Sequence, residues 1–250
     1  MQAAAPGFDR LTSYADVAEL TLISPVIVRA SIIRTTRATG MAAAGVAAGR
    51  TRLVVTASVT NVLVAPGALA GRLQWLWDAP TDAQGRLPAT KGLDVLAFLT
   101  NPTVSGDTRL MSRRSLQAWD PALNDRVLAL ASAARSGNVP VIRIVSNGFR
   151  AAGTVPGESE SQFFLTTADA KPLTLIVQNR PGEVRRVMLA QGDIIDDSAA
   201  ARVQPDTLLW YRLVCFLPAE LPAEAGGDDP ALAGDWRGAL ASLGPCGKTG

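Results

Sequence analysis

Residues 51–64 read TRLVVTASVTNVLV, the clearest strand pattern in the chain. Apolar side chains recur there at every second position: Leu53, Val55, Ala57 and Val59. Polar residues occupy most of the positions between them. A period of two places alternate side chains on opposite faces of a strand. The stretch therefore predicts a strand with one face against a hydrophobic core.

Further strand patterns flank this stretch. Residues 26–37 are rich in β-branched side chains, and residues 72–77 and 93–99 form shorter apolar runs. Turn-forming residues separate the segments, as in Ala-Pro-Gly at residues 65–67. Short strands connected in hairpin order are typical of antiparallel folds. The sequence predicts an antiparallel barrel or sandwich domain over residues 1–115.

The order of these segments is itself informative. A longer strand follows the first, a strand with bulky residues comes next, and Lys91-Gly92 leads into Val-Leu-Ala-Phe-Leu at residues 95–99. This order resembles OB-like barrels of exported proteins of the netrin-like or tissue-inhibitor-like kind. The resemblance covers residues 20–115 and lacks those families' cysteine framework, because both cysteines lie elsewhere. It implies a topology and carries over no binding residue.

A helix is predicted after this first half. Asp120 suits the capping position, Pro121 suits the first turn, and Gly137 closes the helix, which therefore spans residues 120–136. Its apolar stripe consists of Leu123, Val127, Leu130, Ala131 and Ala134.

The second half mixes strands and helices. The strand patterns lie at residues 139–145, 162–166, 172–178 and 184–189, which predicts a second, small antiparallel sheet. Residues 207–217 are apolar nearly all round and predict a buried helix, with a buried strand as the alternative. A polar linker, 219–230, precedes a short helix at 235–243. The expected fold is α+β and β-rich, with residues 116–250 forming an α+β domain that stands alone or shares one core with the first.

Two features indicate export. The chain begins Met-Gln-Ala-Ala-Ala-Pro, which resembles what signal peptidase leaves behind, with Met1 as an added start. The chain has two cysteines, Cys215 and Cys246, and this even number permits one disulfide. Such a bridge would tie the C-terminal segment to the buried element at 207–217 and stabilise the fold by about 3 kcal/mol. These features predict a periplasmic or secreted protein; the alternative is a cytosolic protein with two unrelated thiols.

Two blocks of sequence carry a second resemblance. They read PGESESQFFL at residues 156–165 and DTLLWYRLVCFLP at residues 206–218. Both resemble segments of uncharacterised exported proteins of alphaproteobacteria, a group with no assigned activity. The resemblance implies a compartment and no chemistry.

Charge and hydropathy limit the partners. The net charge is +2, from 24 basic and 22 acidic residues, which is too small to steer the protein to nucleic acid. The first 114 residues carry 12 of the bases and only 7 of the acids, so a basic face toward lipid or a polyanion is a minor alternative. No run approaches the roughly 20 apolar residues of a membrane span. The sequence predicts no transmembrane segment.

The composition excludes several catalytic chemistries. The chain has no histidine, which removes Ser-His-Asp and Cys-His catalysis and His-ligated zinc. Two cysteines are too few for a four-cysteine metal site. Gly157-Glu158-Ser159-Glu160-Ser161 lacks the final glycine of a nucleophile elbow. No metal or cofactor is therefore expected.

Two pairs of residues remain as candidate sites. Glu158 and Glu160 stand two apart, so both would share one face of a strand, where paired carboxylates can hydrolyse glycosides or bind calcium. The alternative is that both glutamates are solvent-exposed residues at the start of a strand. Trp75 and Trp77 share a strand face and could stack on a sugar or another ligand, or belong to the core.

These observations predict a non-catalytic exported protein that acts by binding an envelope protein or a small ligand. The alternative is a histidine-free hydrolase that uses Glu158 and Glu160 on glycans.

Overall fold

The computed structural model describes residues 7–191 and 200–249. The chain divides into two compact units, one reaching to Ser132 and including Thr249, the other running from Ala133 to Lys248. Each unit has its own sheet and its own hydrophobic core. The alanine-rich start that predicted export, residues 1–6, lies outside the described residues.

In chain order, the first unit begins with a helix, continues with the strands of one sheet and ends with a second helix. Its described elements are α1 (Tyr14–Ile23), β1 (Val26–Arg37), β2 (Arg50–Val64), β3 (Arg72–Pro80), β4 (Asp94–Leu99), β5 (Leu116–Ala118) and α2 (Pro121–Arg135). The fold class is the predicted one, α+β with a high strand content.

The strands of the first unit, as far as they are described, form one antiparallel sheet in the order β3-β2-β1-β4-β5. The sheet is curled like half of a barrel. Leu53, Val55 and Ala57 are buried on its core face, as the alternation predicted, and Val59 packs against the same cluster. The stretch 51–64 thus forms most of β2, which lies between β1 and β3.

Residues 106–111, here called the seam segment, contact two strands. An isolated bridge pairs Asp107 with Gln74 in β3, and another pairs Leu110 with Leu99 in β4. Strands β3 and β4 are separated by β2 and β1 in the sheet. One short segment therefore bonds to both, which is possible because the sheet curls.

The boundary between the units differs from the predicted one. Residues 116–118 form β5, which pairs with β4 through Val95 and Ala118, so they belong to the first sheet. The division falls inside α2, between Ser132 and Ala133, and not after residue 115. A strand of three residues is too short to show an alternating pattern. The helix itself begins as predicted, because Asp120 accepts a hydrogen bond of 3.0 Å from the backbone N–H of Leu123.

The second unit begins with a meander of strands and ends with helices. Its described elements are β6 (Ile142–Ala152), β7 (Ser159–Thr167), β8 (Leu173–Asn179), β9 (Arg186–Gln191), β10 (Ala201–Arg202), α3 (Leu208–Phe216) and α4 (Pro230–Leu243). Over the described residues the strands pair antiparallel in the order β10-β9-β8-β7-β6.

Capping residues determine where both helices of this unit begin. The Thr207 side chain accepts a hydrogen bond of 3.1 Å from the backbone N–H of Trp210, so the apolar segment is a helix and not a strand. Asp229 caps α4 and Pro230 takes its first position. The predicted start at residue 235 is therefore wrong, because the Asp-Pro signature lies inside the segment that looked like a polar linker.

The core of the second unit joins its sheet to its helices. Phe163 of β7 and Trp236 of α4 meet edge to face, with ring centroids 5.0 Å apart. Cys215 and Cys246 form the predicted disulfide, with Cα atoms 4.9 Å apart, so the C-terminal segment is held to α3. Among the described helices none combines the length and apolar character that crossing a membrane requires.

Candidate functional site

Glu158 and Glu160 line one pocket in the second unit. Its volume is about 300 Å³, and it lies where the end of β6, the start of β7 and the end of β8 meet. The spacing of the two residues thus places both carboxylates in one site. We call this site the glutamate pocket; its other lining residues are Ala151, Ala152, Gly153, Thr154, Ser159, Gln178, Asn179 and Arg180.

The Glu160 carboxylate is held by two side-chain amides. The Gln162 amide donates to Oε1 at 2.8 Å, and the Gln178 amide donates to Oε2 at 3.0 Å. Gln178 lies directly opposite Glu160 in the β7–β8 register. Cross-strand neighbours have their side chains on the same face of a sheet. The pairing of the strands therefore determines the position of this carboxylate.

Glu158 forms an ion pair at the same pocket. Its Oε1 lies 3.3 Å from Nε of Arg180, whose side chain is 45% exposed. Glu158 also lies against Gly153, where an added Cβ would come within 2.6 Å of Oε2. Only glycine leaves room for this approach. The pocket therefore combines two carboxylates with one guanidinium that faces solvent.

A buried carboxylate supports the pocket through Asn179. The Asn179 amide donates to Oδ1 of Asp235 at 2.8 Å and also lies 3.2 Å from the Ser159 hydroxyl. Ser161 donates to Oδ2 of Asp235 at 2.7 Å. Asp235 is only 6% exposed, so its charge needs compensation within the protein.

Two arginines supply that compensation. Arg150 Nε donates to Oδ2 of Asp235 at 3.2 Å, and Arg185 Nη2 lies 3.6 Å from Oδ1. Arg185 Nε also donates to the Asn179 side-chain oxygen at 2.8 Å. These residues, the Asp235 network, connect α4 to β6, β7 and the β8–β9 hairpin. Each member has a partner, which is the condition for a buried ion pair to be tolerated.

The serines near the glutamates face away from solvent. Ser159 is 4% exposed and Ser161 is fully buried, and both point into the Asp235 network. The near-match to a nucleophile elbow is therefore the regular start of β7. Within residues 7–191 and 200–249 no cluster of three or more potential metal ligands occurs. The glutamate pocket has the chemistry to bind a polar ligand through hydrogen bonds.

Trp75 and Trp77 lie in the core of the first sheet. Both are 2% exposed, and Trp77 stacks on Phe8 with ring centroids 5.2 Å apart. An indole buried to this extent offers no free face to a ligand. The structure therefore favours the core interpretation of this pair over stacking on a sugar.

No motif in the sequence marks Asp235 as a site residue. It lies on α4 among the apolar residues that face the core, beside Trp236 and between Leu232 and Ala239. A charged residue in such a stripe indicates a buried ion pair. The partners Arg150 and Arg185 lie on β6 and just before β9, and only the folded chain brings them to it.

No protein-family model matches the chain, and no curated protein matches it significantly.

Proposed function

We propose that this chain is a non-catalytic binding protein of an oxidising, extracytoplasmic compartment, and that it takes a small polar ligand in the glutamate pocket. The observation that carries the proposal is that both Glu160 oxygens accept from side-chain amides while Arg180 remains 45% exposed beside Glu158. Such a site offers acceptors and a donor held in place before the ligand arrives.

The class of ligand follows from these groups. Two carboxylates beside one guanidinium disfavour an anion, and a neutral ligand with several hydroxyls can both donate to the glutamates and accept from Arg180. A volume of about 300 Å³ is at the lower end for small-molecule sites. A mono- or disaccharide meets both requirements.

The hydrolase alternative has weaker support. A glycosidase needs one carboxyl as general acid and a second as base or nucleophile, both free to react. Here the side chains that surround Glu160 engage both of its oxygens, and the described residues place no third carboxylate in the pocket lining. The serine hydroxyls nearby are buried.

The disulfide supports the proposed compartment. Both cysteines of the chain are used in the Cys215–Cys246 bridge, and such bridges persist where thiols are oxidised. Fractionation of the native host, followed by detection of the chain in the periplasmic or extracellular fraction, tests this part separately from ligand binding.

Titration with a panel of neutral mono- and disaccharides, followed by amide NMR, tests the pocket. We expect shifts at Gly153 and at the side-chain amides of Gln178 and Asn179. E160Q replaces an acceptor with a donor and is expected to abolish these shifts, whereas E183Q, at an exposed glutamate outside the pocket, should leave them unchanged.

Two results would contradict the proposal. If no saccharide shifts these amides, the pocket is not a saccharide site. If nitrophenyl glycosides are cleaved by the native protein but not by E158Q or E160Q, the pocket is catalytic and the hydrolase alternative is correct.

A further inference from the structure

A second pocket, in the first unit, lies beside the seam segment. Its volume is about 540 Å³. Strands β2 and β3 contribute Arg52, Leu76 and Asp78, the seam segment contributes Arg109, and Arg113 follows two residues after that segment. We call it the arginine pocket.

One of its arginines is already neutralised. Arg52 faces Asp78 directly across the β2–β3 register, and their side chains form a fork, with Nε to Oδ1 at 2.6 Å and Nη2 to Oδ2 at 2.8 Å. The hydrogen bond from Arg52 holds the pKa of Asp78 below its usual value. Asp78 is therefore committed to Arg52, and among the described residues it is the one acidic side chain that lines the pocket.

The other two arginines differ from Arg52 in their surroundings. Arg109 and Arg113 are exposed, and neither side chain has an acidic partner in the part of the chain that the structure describes. The backbone of Arg109 is nevertheless fixed, because its carbonyl accepts from the N–H of Thr100 at 2.9 Å. Both guanidiniums thus line one pocket, whose three arginines and one aspartate leave an excess charge of +2 among the described residues.

The same pocket has an apolar wall. Leu76 is 43% exposed on β3, and Leu110 of the seam segment, which packs partly against the core, also lines the pocket. A large apolar side chain that remains exposed within a pocket is available to a ligand. A bare inorganic anion would leave this wall in contact with water.

We propose that the arginine pocket binds a phosphate monoester that carries an apolar group, with Arg109 and Arg113 holding the phosphate and Leu76 contacting the apolar group. A phosphate monoester carries nearly two negative charges at neutral pH, which matches the uncompensated charge of the pocket. Guanidinium forks bind phosphate oxygens in pairs, which is stronger and more directional than a single ammonium contact. This site is separate from the glutamate pocket, so the inference does not depend on the proposed function.

Isothermal titration of the full chain at fixed ionic strength tests the proposal. The probes are inorganic phosphate, phenyl phosphate, and vesicles of phosphatidylcholine with or without phosphatidic acid. The double variant R109Q/R113Q is compared with R34Q/R37Q, which removes the same charge from exposed arginines on β1 outside the pocket.

Phenyl phosphate is expected to bind the native chain. R109Q/R113Q should weaken this binding at least about tenfold, which corresponds to about 1.4 kcal/mol, while R34Q/R37Q changes it less than about twofold. L76A should weaken phenyl phosphate but not inorganic phosphate. Binding of phenyl phosphate alone identifies a soluble ester as the source, and a preference for phosphatidic acid vesicles identifies a lipid headgroup; either supports the site.

The proposal is overturned by any of three outcomes. The first is that no probe binds. The second is that both double variants weaken binding equally, which would reduce the effect to net charge. The third is that inorganic phosphate binds as tightly as phenyl phosphate, which would remove the role of the apolar wall.

Discussion

Ser161 donates a hydrogen bond of 2.7 Å to Oδ2 of Asp235, a residue 74 positions further along the chain. The bond joins the buried face of β7 to α4, and Asn179 extends it from Asp235 to the glutamate pocket. The position of the pocket's lining and the stability of the second unit therefore depend on the same carboxylate.

Asp235→Ala should lower the free energy of unfolding by about 2–3 kcal/mol. The change removes a buried acceptor and leaves Arg150 and Arg185 without their common partner. Urea denaturation followed by circular dichroism measures the loss. Asp228→Ala, at an exposed position just before α4, is the control and should stay within about 0.5 kcal/mol of the native value. Equal effects of the two variants would show that the Asp235 network does not stabilise the fold.

Two glycines on α4 make a matched pair. Nothing lies within 4 Å of a Cβ added at Gly234, whereas one added at Gly238 would lie 1.3 Å from Nη1 of Arg185. Gly234→Ala should therefore stabilise the protein by about 0.5–1 kcal/mol through helix propensity. Gly238→Ala should gain less or lose stability, because Arg185 must leave Asn179 and Asp235. Thermal denaturation of both variants measures the two changes in stability. If Gly238→Ala stabilises the protein as much as Gly234→Ala does, the Arg185 contacts do not contribute to stability.

The disulfide gives a redox-dependent prediction. Reductant, or the C215S/C246S double variant, should lower the free energy of unfolding by about 3–4 kcal/mol, since the bridge closes a loop with a sequence separation of 31. The measurement is urea denaturation with and without reductant, alongside intact mass, which should rise by about 2 Da on reduction. Reductant should have no effect on the double variant. If reductant leaves the free energy of unfolding of the native protein unchanged, the bridge does not stabilise the fold.

The environment of Asp16 determines how the stability of the first unit changes at acidic pH. Its side chain is buried, and burial alone would raise its pKa. Hydrogen bonds from Thr249, together with Arg114, outweigh burial and hold the pKa of Asp16 well below its usual range.

The sign of the pH dependence follows from that direction. A folded-state pKa below the unfolded value of about 3.9 gives stability that is complete above pH 3.9 and is lost as the pH falls further, at up to about 1.4 kcal/mol per pH unit. Asp16→Asn should therefore reduce the loss of stability between pH 5 and pH 2, measured as urea midpoints. Some dependence should remain, because the pKa of Asp78 is also lowered. Asp125→Asn removes an exposed carboxylate and serves as the control; if it alters the pH dependence as much as Asp16→Asn does, the prediction for Asp16 is wrong.

Elements whose pattern is local could be predicted from the sequence. Alternation at residues 51–64 predicted β2 and its core face, and Asp120-Pro121 predicted α2, because side-chain periodicity and capping depend only on near neighbours in the chain. The two-residue spacing of Glu158 and Glu160 also placed both carboxylates in one pocket. The cysteine count predicted the bridge because only one pairing is possible within the chain.

The folded structure was needed for the features that depend on contacts between residues distant in sequence. It buried Trp75 and Trp77, assigned residues 116–118 to the first sheet, and gathered Asp235 with Arg150 and Arg185. It also placed Arg109 and Arg113 beside Leu76. Strand register and helix docking determine these arrangements, and both are set by the packing of whole faces, which no single stretch of sequence contains.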